Sequence, residues 1–431
     1  MEPVVEQIVR PARNIAGQLL LPGDKSISHR YAMLGAMAEG TSRLHNFSSG
    51  ADCASTLGCA AQCGIQVGRD GQIVTIQGGA GAFAPPEEFL DCGNSGSTMR
   101  MFSGILAAQP GRFTLQGDAS LNRRPMERVR KPLMEMGAAI SLHDGHAPLV
   151  IEGRRLRGIS YETPVPSAQV KSALLFAGLQ AEGRTTVRES VRTRDHGEIA
   201  LRAFGARVER GSGFAAIDGG QKLRGIEATI PGDLSSAAFF LCAAALFPDS
   251  SLLLDRLGMN PTRAALLDVL AALGAKSNVL NLEEHHGELV GALQLTAPQE
   301  GLGGAEIRGA LAALLIDELP VLAAIAPYTR EGIRIRDARE LRVKESDRIA
   351  LVARNLLAMG AQVEEFEDGL DVPGGQKLHG AIVDSGGDHR IAMAFAVAAL
   401  RAEGETVIRG ADAAGISFPE FFSLLHRVAE R

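Results

Sequence analysis

A chain of 431 residues exceeds what one hydrophobic core ordinarily organises, so two or three domains are expected. Its 45% hydrophobic and 22% charged content fits a soluble globular protein, and a net charge of −6 argues against general nucleic-acid affinity. There is no Trp and there are three Tyr, which leaves no aromatic stacking platform; five cysteines without a C-x-x-C pair suggest reduced thiols rather than a disulfide frame or zinc site.

Residues 1–10 carry two Glu and no apolar run, so they are not read as a signal peptide. The apolar runs at 239–247 and 391–400 are too short to span a bilayer. What organises the chain is a sixfold repeat. A capping residue opens an apolar helical stretch at Asp24, Asn94, Ser167, Asp233, Asp317 and Asp388, at intervals of 66 to 84 residues. A chain reversal follows about 16 residues later at Gly40, Gly111, Gly183, Asp249, Gly332 and Gly404, and then a short apolar run. A second helical stretch ends at Gly64, Gly137, Gly205, Gly274 and Gly360. Asp-Gly turns at 70–71, 144–145 and 368–369 mark hairpins. The unit reads strand, helix, strand, helix, strand, strand, and the sixth copy ends early, at the amphipathic stretch 418–428.

Six such helices present six N-termini, where free N–H groups and the helix dipole favour anions. In the first, Lys25, Ser26 and Arg30 follow Asp24, a cation and hydroxyls suited to phosphate or carboxylate. An ordinary capped helix with surface charges would look the same. In the second, Gly96 permits close approach by a ligand, and Arg123 and Arg124 stand on a loop entering a helix. In the third, Ser167 and Gln169 stand at the helix mouth, Lys171 reads equally well as a surface lysine, and His196 reads as a satisfied loop histidine.

The fifth unit is densest. Asp317 and Glu318 stand at a helix start, and Lys344, Glu345 and Arg348 fall within a turn and a half of a further helix. The sixth places Asp388, His389 and Arg390 at a helix N-terminus. Lys25, Arg124, Lys344, Arg348 and Arg390 would together focus a positive field in an acidic protein. Glu345, Asp317 and His389 are the proton-transfer candidates. No Walker A loop, Rossmann glycine pattern or metal-ligand cluster accompanies them. The residues alone thus lead to a two-domain enzyme acting on phosphorylated anions without a redox cofactor.

The stretches GDKSISHR (23–30), CGNSGSTMR (92–100), RRP (123–125), PSAQVKSA (166–173), TRDH (193–196), LRVKESDR (341–348) and GDHRIAMA (387–394) resemble the 5-enolpyruvylshikimate-3-phosphate synthase family. The resemblance implies a two-domain inside-out α/β barrel of six βαβαββ units, three per domain. The domains would be 22–230, and 1–21 with 231–431, the repeated Pro-Gly-Asp at 22–24 and 231–233 marking the crossings and the active site lying in the cleft between them.

The implied reaction moves the enolpyruvyl group of phosphoenolpyruvate to the 5-hydroxyl of shikimate 3-phosphate through a tetrahedral ketal phosphate. Carried over by position, shikimate 3-phosphate would be held by Lys25, Ser26, Arg30, Ser167, Ala168, Gln169, Thr193, Asp317 and Lys344, with His196 in the same closing segment as Thr193. Phosphoenolpyruvate would be held by Lys25, Gly96, Arg124, Gln169, Arg348 and Arg390. Lys25, Asp317 and Glu345 would be catalytic. No cofactor, metal, nucleic acid or membrane is implied, and a cytoplasmic monomer is expected.

Three positions depart from the pattern. Many members carry Lys ahead of the final Ser/Thr-Phe-Pro, where Ile416 stands here, and Met101 and Ala168 replace a Pro and a Ser of some members. The alternative within this fold is UDP-N-acetylglucosamine enolpyruvyl transferase, whose usual loop cysteine is missing between Gly117 and Arg124.

Overall fold

The computed structural model describes residues 5–431. The first four residues of the stretch considered above as a signal peptide, which also begin the expected segment 1–21, lie outside them.

The six helices are Lys25–Met37, Gly96–Leu106, Ala168–Gln180, Leu234–Ala245, Leu319–Ile325 and His389–Ala399. Four have the expected caps: the Asp24, Ser167, Asp233 and Asp388 side chains accept from the N–H groups of Ile27, Val170, Ser235 and Arg390. Two expectations are corrected. Ser95, not Asn94, caps the second helix, accepting from the Thr98 N–H. The fifth helix begins after Glu318, without a side-chain cap. Asn94 and Asp317 are thereby left to bind other groups.

These helices are mostly apolar beyond their first turns, and they are buried: every residue from Leu234 to Ala245 is buried, and every residue from Ile27 to Met37, the polar Ser28, His29 and Arg30 included. The sheets, in contrast, alternate. Strand Arg184–Glu189 shows exposed and buried residues in turn, as does Thr41–His45. Helices inside and sheets outside follow from those two patterns. Gly104 lets the second and third helices touch, since a Cβ there would collide with the Ala173 carbonyl.

Each full repeat folds into one sheet in which the first two strands are parallel and the hairpin adds antiparallel. Leu90–Asp91 runs parallel to Gly111–Gln116, whose other side carries His146–Gly153 and then Ala139–His143. Ser160–Thr163, Arg184–Glu189, Phe214–Asp218 and Val208–Gly211 repeat that order. So do Ala305–Ile307, Ile333–Ile335, Gly369–Val372 and Glu364–Phe366. Two repeats borrow their first strand from far along the chain: Glu227–Thr229 pairs with Thr41–His45, and Asn14–Leu20 with Ser251–Gly258. The shortened sixth copy takes Glu6–Val9 as its antiparallel partner instead of a hairpin.

The chain divides into two compact units. One comprises Met1–Pro22, Pro231–Glu283 and Leu289–Arg431; the other comprises Gly23–Ile230 and Glu284–Glu288. Each has its own apolar core. Among the described residues no helix is long and apolar enough to cross a membrane.

Candidate active site

In the unit Gly23–Ile230, three helix N-termini hold the expected residues. Lys25 is the first residue of its helix, and its ammonium pairs with the buried Asp52 carboxylate. Arg30, one turn on, is buried. Its Nε and Nη2 donate to Ser172 Oγ at 3.2 and 2.9 Å, its Nη1 to the Ser26 carbonyl at 2.9 Å, and its Nη2 to the Ala168 carbonyl at 3.4 Å. One guanidinium thus ties the first helix mouth to the third and orients Ser26 and Ala168.

Gln169 bridges the third mouth to the second. Its amide oxygen accepts from Arg100 Nη1 at 2.8 Å and its amide nitrogen donates to Ser97 Oγ at 3.0 Å. Arg124 is buried and donates to Asn94 Oδ1 at 2.7 Å, the role Asn94 takes in place of capping. Gly96 forms the floor beneath both arginines: a Cβ there would lie 3.1 Å from Arg100 Nη1 and 3.3 Å from Arg124 Nη1. Both guanidiniums donate to oxygens of this unit: Arg100 Nη2 also to the Pro125 carbonyl at 3.3 Å, and Arg124 Nη2 also to Ser120 Oγ at 3.5 Å.

Ser167 caps the third helix and is half-buried at its mouth. The Thr193 hydroxyl donates to Glu189. Two expectations about this repeat are corrected. Lys171 is no surface lysine: its side chain is 2% exposed and pairs with Glu189 and Glu198. His196 is not in a loop but begins the helix His196–Ala203, with Nδ1 2.6 Å from Glu288 Oε1.

In the other unit, charges gather around Asp317. Its Oδ1 lies 3.7 Å from Arg348 Nη1, 4.0 Å from Lys344 Nζ and 4.0 Å from Arg390 Nε. Arg390 Nη1 also donates to the Asp317 carbonyl at 2.8 Å and Nη2 to Ser235 Oγ at 3.0 Å. Arg348 donates to Asp388 through Nε and Nη2 and to Glu345 Oε2 through Nη2 at 2.6 Å. Lys344 and Glu345 do not lie on a helix as expected; they precede one that begins at Arg348, where Asp347 is the cap. Being ahead of the N-terminus lets both turn toward Asp317 and Arg348 instead of following a helical face.

Burial lowers the Lys344 pKa against the opposing pull of Asp317 and Glu345. For Arg348, burial works against the cation, but Asp388 and Glu345 raise its pKa above the ordinary value. His389 is buried beside Asp388, its Nδ1 4.0 Å from Asp388 Oδ1.

The sequence reading missed Asp52, Ser172, Arg100 and Ser235. Arg100 and Ser172 stand inside the quoted motifs, so their position was a usable signal. Asp52 and Ser235 lie outside them, and only folding brings them to Lys25 and Arg390. Among the described residues no group of three His, Cys, Asp or Glu is placed to hold a metal ion. All five cysteines are buried and unbridged, and burial raises the Cys53 thiol to about 12.

Residues 9–425 match the family model described as EPSP synthase (3-phosphoshikimate 1-carboxyvinyltransferase). The chain belongs to the EPSP synthase family. It is 64% identical to the 3-phosphoshikimate 1-carboxyvinyltransferase of Koribacter versatilis, over 98% of this chain and 99% of that one. It is 54% identical to the protein of the same name from Solibacter usitatus, over 99% of this chain and 100% of that one. Among solved structures, EPSP synthase from Acinetobacter baumannii superimposes with a TM-score of 0.87 at 39% identity, covering 99% of this chain and 98% of the other. The enolpyruvyl transferase NikO from Streptomyces tendae, 19% identical with a TM-score of 0.80 over 99% of this chain and 98% of its own, shares the fold. The two-domain inside-out α/β architecture is therefore the family's, and the UDP-N-acetylglucosamine alternative is not favoured.

Proposed function

We propose that the two charged clusters serve one reaction, with the roles carried over by position. The activity is that of the family: the enolpyruvyl group of phosphoenolpyruvate passes to the 5-hydroxyl of shikimate 3-phosphate with release of phosphate, in aromatic amino acid biosynthesis. The addition forms a tetrahedral ketal phosphate, and elimination of phosphate completes the transfer.

In this reading Lys25, Ser26, Arg30, Ser167, Ala168, Gln169, Thr193, Asp317 and Lys344 hold shikimate 3-phosphate. Lys25, Gly96, Arg124, Gln169, Arg348 and Arg390 hold phosphoenolpyruvate. Asp317 takes the proton of the attacking hydroxyl, while Lys25 and Glu345 handle the proton added to and removed from C3. The arginines offset charge on the phosphate and carboxylate as the ketal forms. The domains are read as 22–230 and as 1–21 with 231–431, and the protein as a cytoplasmic monomer that uses no cofactor.

The observation that carries this is the convergence of Arg348, Lys344 and Arg390 on one Asp317 oxygen, at 3.7, 4.0 and 4.0 Å. Arg348 is shared with Glu345 and Asp388, so the carboxylates balance the cations, and Lys344 and Arg390 stand beside a group able to accept a proton. The test is phosphate release from phosphoenolpyruvate with either shikimate 3-phosphate or UDP-N-acetylglucosamine. Release with the first acceptor alone is expected; release with the second alone would overturn the reading. The same release in Asp317→Asn as in the unaltered protein would remove Asp317 from the chemistry.

A further inference from the structure

Lys171 is the most deeply buried lysine contact in its unit and has no part in the reaction as assigned. It lies one turn inside the helix Ala168–Gln180, its N–H donating to the Ser167 carbonyl at 3.0 Å. Its Nζ is 2.8 Å from Glu189 Oε2 and 2.9 Å from Glu198 Oε1, and the three side chains are 2%, 4% and 4% exposed. Such an arrangement is a poor way to gain stability, because desolvating three charges costs more than apolar packing of the same volume. Its placement suggests another purpose. Glu189 is the last residue of the strand Arg184–Glu189, and Glu198 lies in the first turn of the helix His196–Ala203. One ammonium therefore clasps both ends of the connection that carries Thr193.

The Thr193 hydroxyl gives its proton to Glu189 Oε1. A hydroxyl has one proton to donate, and a phosphate oxygen can accept only that same proton. Glu189 and an incoming phosphate thus compete for Thr193, and the carboxylate also repels the phosphate.

We propose that Lys171 is a positioning residue for the phosphate end of shikimate 3-phosphate: it offsets the charge of Glu189 and Glu198 and pins both, so that Thr193 can turn from Glu189 to the ligand. This rests on the reading that Thr193 belongs to the shikimate 3-phosphate site. One ammonium with two carboxylates carries a net charge of −1. Lys171→Met makes it −2, and adding Glu189→Gln restores −1.

The experiment measures KM for both substrates in folded variants, with Thr193→Val as the reference for the underlying reading. Thr193→Val is expected to raise KM for shikimate 3-phosphate. Lys171→Met is expected to raise it by about tenfold, equivalent to about 1.4 kcal/mol, with KM for phosphoenolpyruvate changed by less than about twofold. Lys171→Met/Glu189→Gln should recover most of that loss, which a general loosening of the fold would not do.

An unchanged KM in Thr193→Val overturns the placement of Thr193 and the inference with it. A raised KM in Thr193→Val but not in Lys171→Met overturns the inference alone, as does a double variant no better than Lys171→Met. Should Lys171→Met not fold, Glu189→Gln decides. It keeps an acceptor for Thr193 and removes a negative charge, so KM for shikimate 3-phosphate should fall; a rise would overturn the proposal.

Discussion

Arg348 grips Asp388 with two hydrogen bonds, Nε to Oδ2 at 2.8 Å and Nη2 to Oδ1 at 3.2 Å, and neither side chain is more than 1% exposed. The same carboxylate accepts from Ser346 Oγ at 2.9 Å and caps the helix His389–Ala399 through the Arg390 N–H. Asp388 therefore fixes two of the cations assigned to phosphoenolpyruvate, one by its side chain and one by its backbone.

Asp388→Ala should lower stability by about 3–5 kcal/mol, the scale for removing one partner of a buried ion pair. Urea unfolding checks this, and a midpoint equal to that of the unaltered protein would refute it. Burial pushes the Asp388 carboxyl up, but Arg348 pulls it below the ordinary range. Its contribution is thus fully present above about 3.9, the ordinary Asp value, and is lost as pH falls through the lower folded value. Asp388→Asn should flatten that part of the stability profile.

Lys25→Met and Glu345→Gln should each lower turnover by about 10² to 10⁴, the usual range for general acid–base groups. Lys25 pairs with Asp52 and Glu345 with Arg348, so each is held in place before substrate arrives. Near-normal kcat in folded Glu345→Gln would exclude it from proton transfer.

Gly96→Ala should weaken the inhibitor glyphosate more than phosphoenolpyruvate. The family resemblance places both ligands at this position, and glyphosate is the longer. The added methyl meets the tips of two flexible side chains at 3.1 and 3.3 Å, so the fold should absorb it by shifting the Arg100 and Arg124 guanidiniums. Overpacking of this kind costs about 1–3 kcal/mol, or about one to two powers of ten in affinity for the ligand that needs the room. Inhibition constants and KM measured on both proteins check it; an equal loss for the two ligands would show general damage to the site.

His29 should make the fold sensitive to mild acid. It is buried, with Nδ1 2.7 Å from Thr56 Oγ1, and burial, then Lys25, then Arg30 hold its pKa well below 6.5. The unfolded chain therefore binds a proton that the native state refuses. The stability is whole above about 6.5 and falls by up to about 1.4 kcal/mol per pH unit below it, until the folded value is reached. His29→Gln should show a shallower slope between pH 6.5 and 5 in denaturant unfolding; equal slopes would refute the assignment.

The repeat was legible because its signals are local. A cap acts on the N–H two or three residues ahead, as Asp24 does on Ile27, and a helix as apolar as Leu234–Ala245 can only be interior. The cap signal erred by one residue at Asn94 and Asp317, both next to another residue able to take the position, Ser95 or Glu318. The candidate site was legible as residue types at helix mouths, and the family resemblance supplied their proposed roles.

Partners were not legible. Lys171 and a solvated lysine have the same local sequence signature, and only the folded chain brings Glu189 and Glu198 against it. Likewise Asp52 reaches Lys25, and Ser172 reaches Arg30 from 142 residues away. Helix periodicity and capping depend on neighbours in sequence, so the chain alone determined the repeat and most of its helix starts. Charge pairing depends on distance in space and on the exclusion of water, so only the tertiary structure decided that Lys25 meets Asp52, Lys171 meets Glu189 and Glu198, and Arg348 meets Glu345 and Asp388.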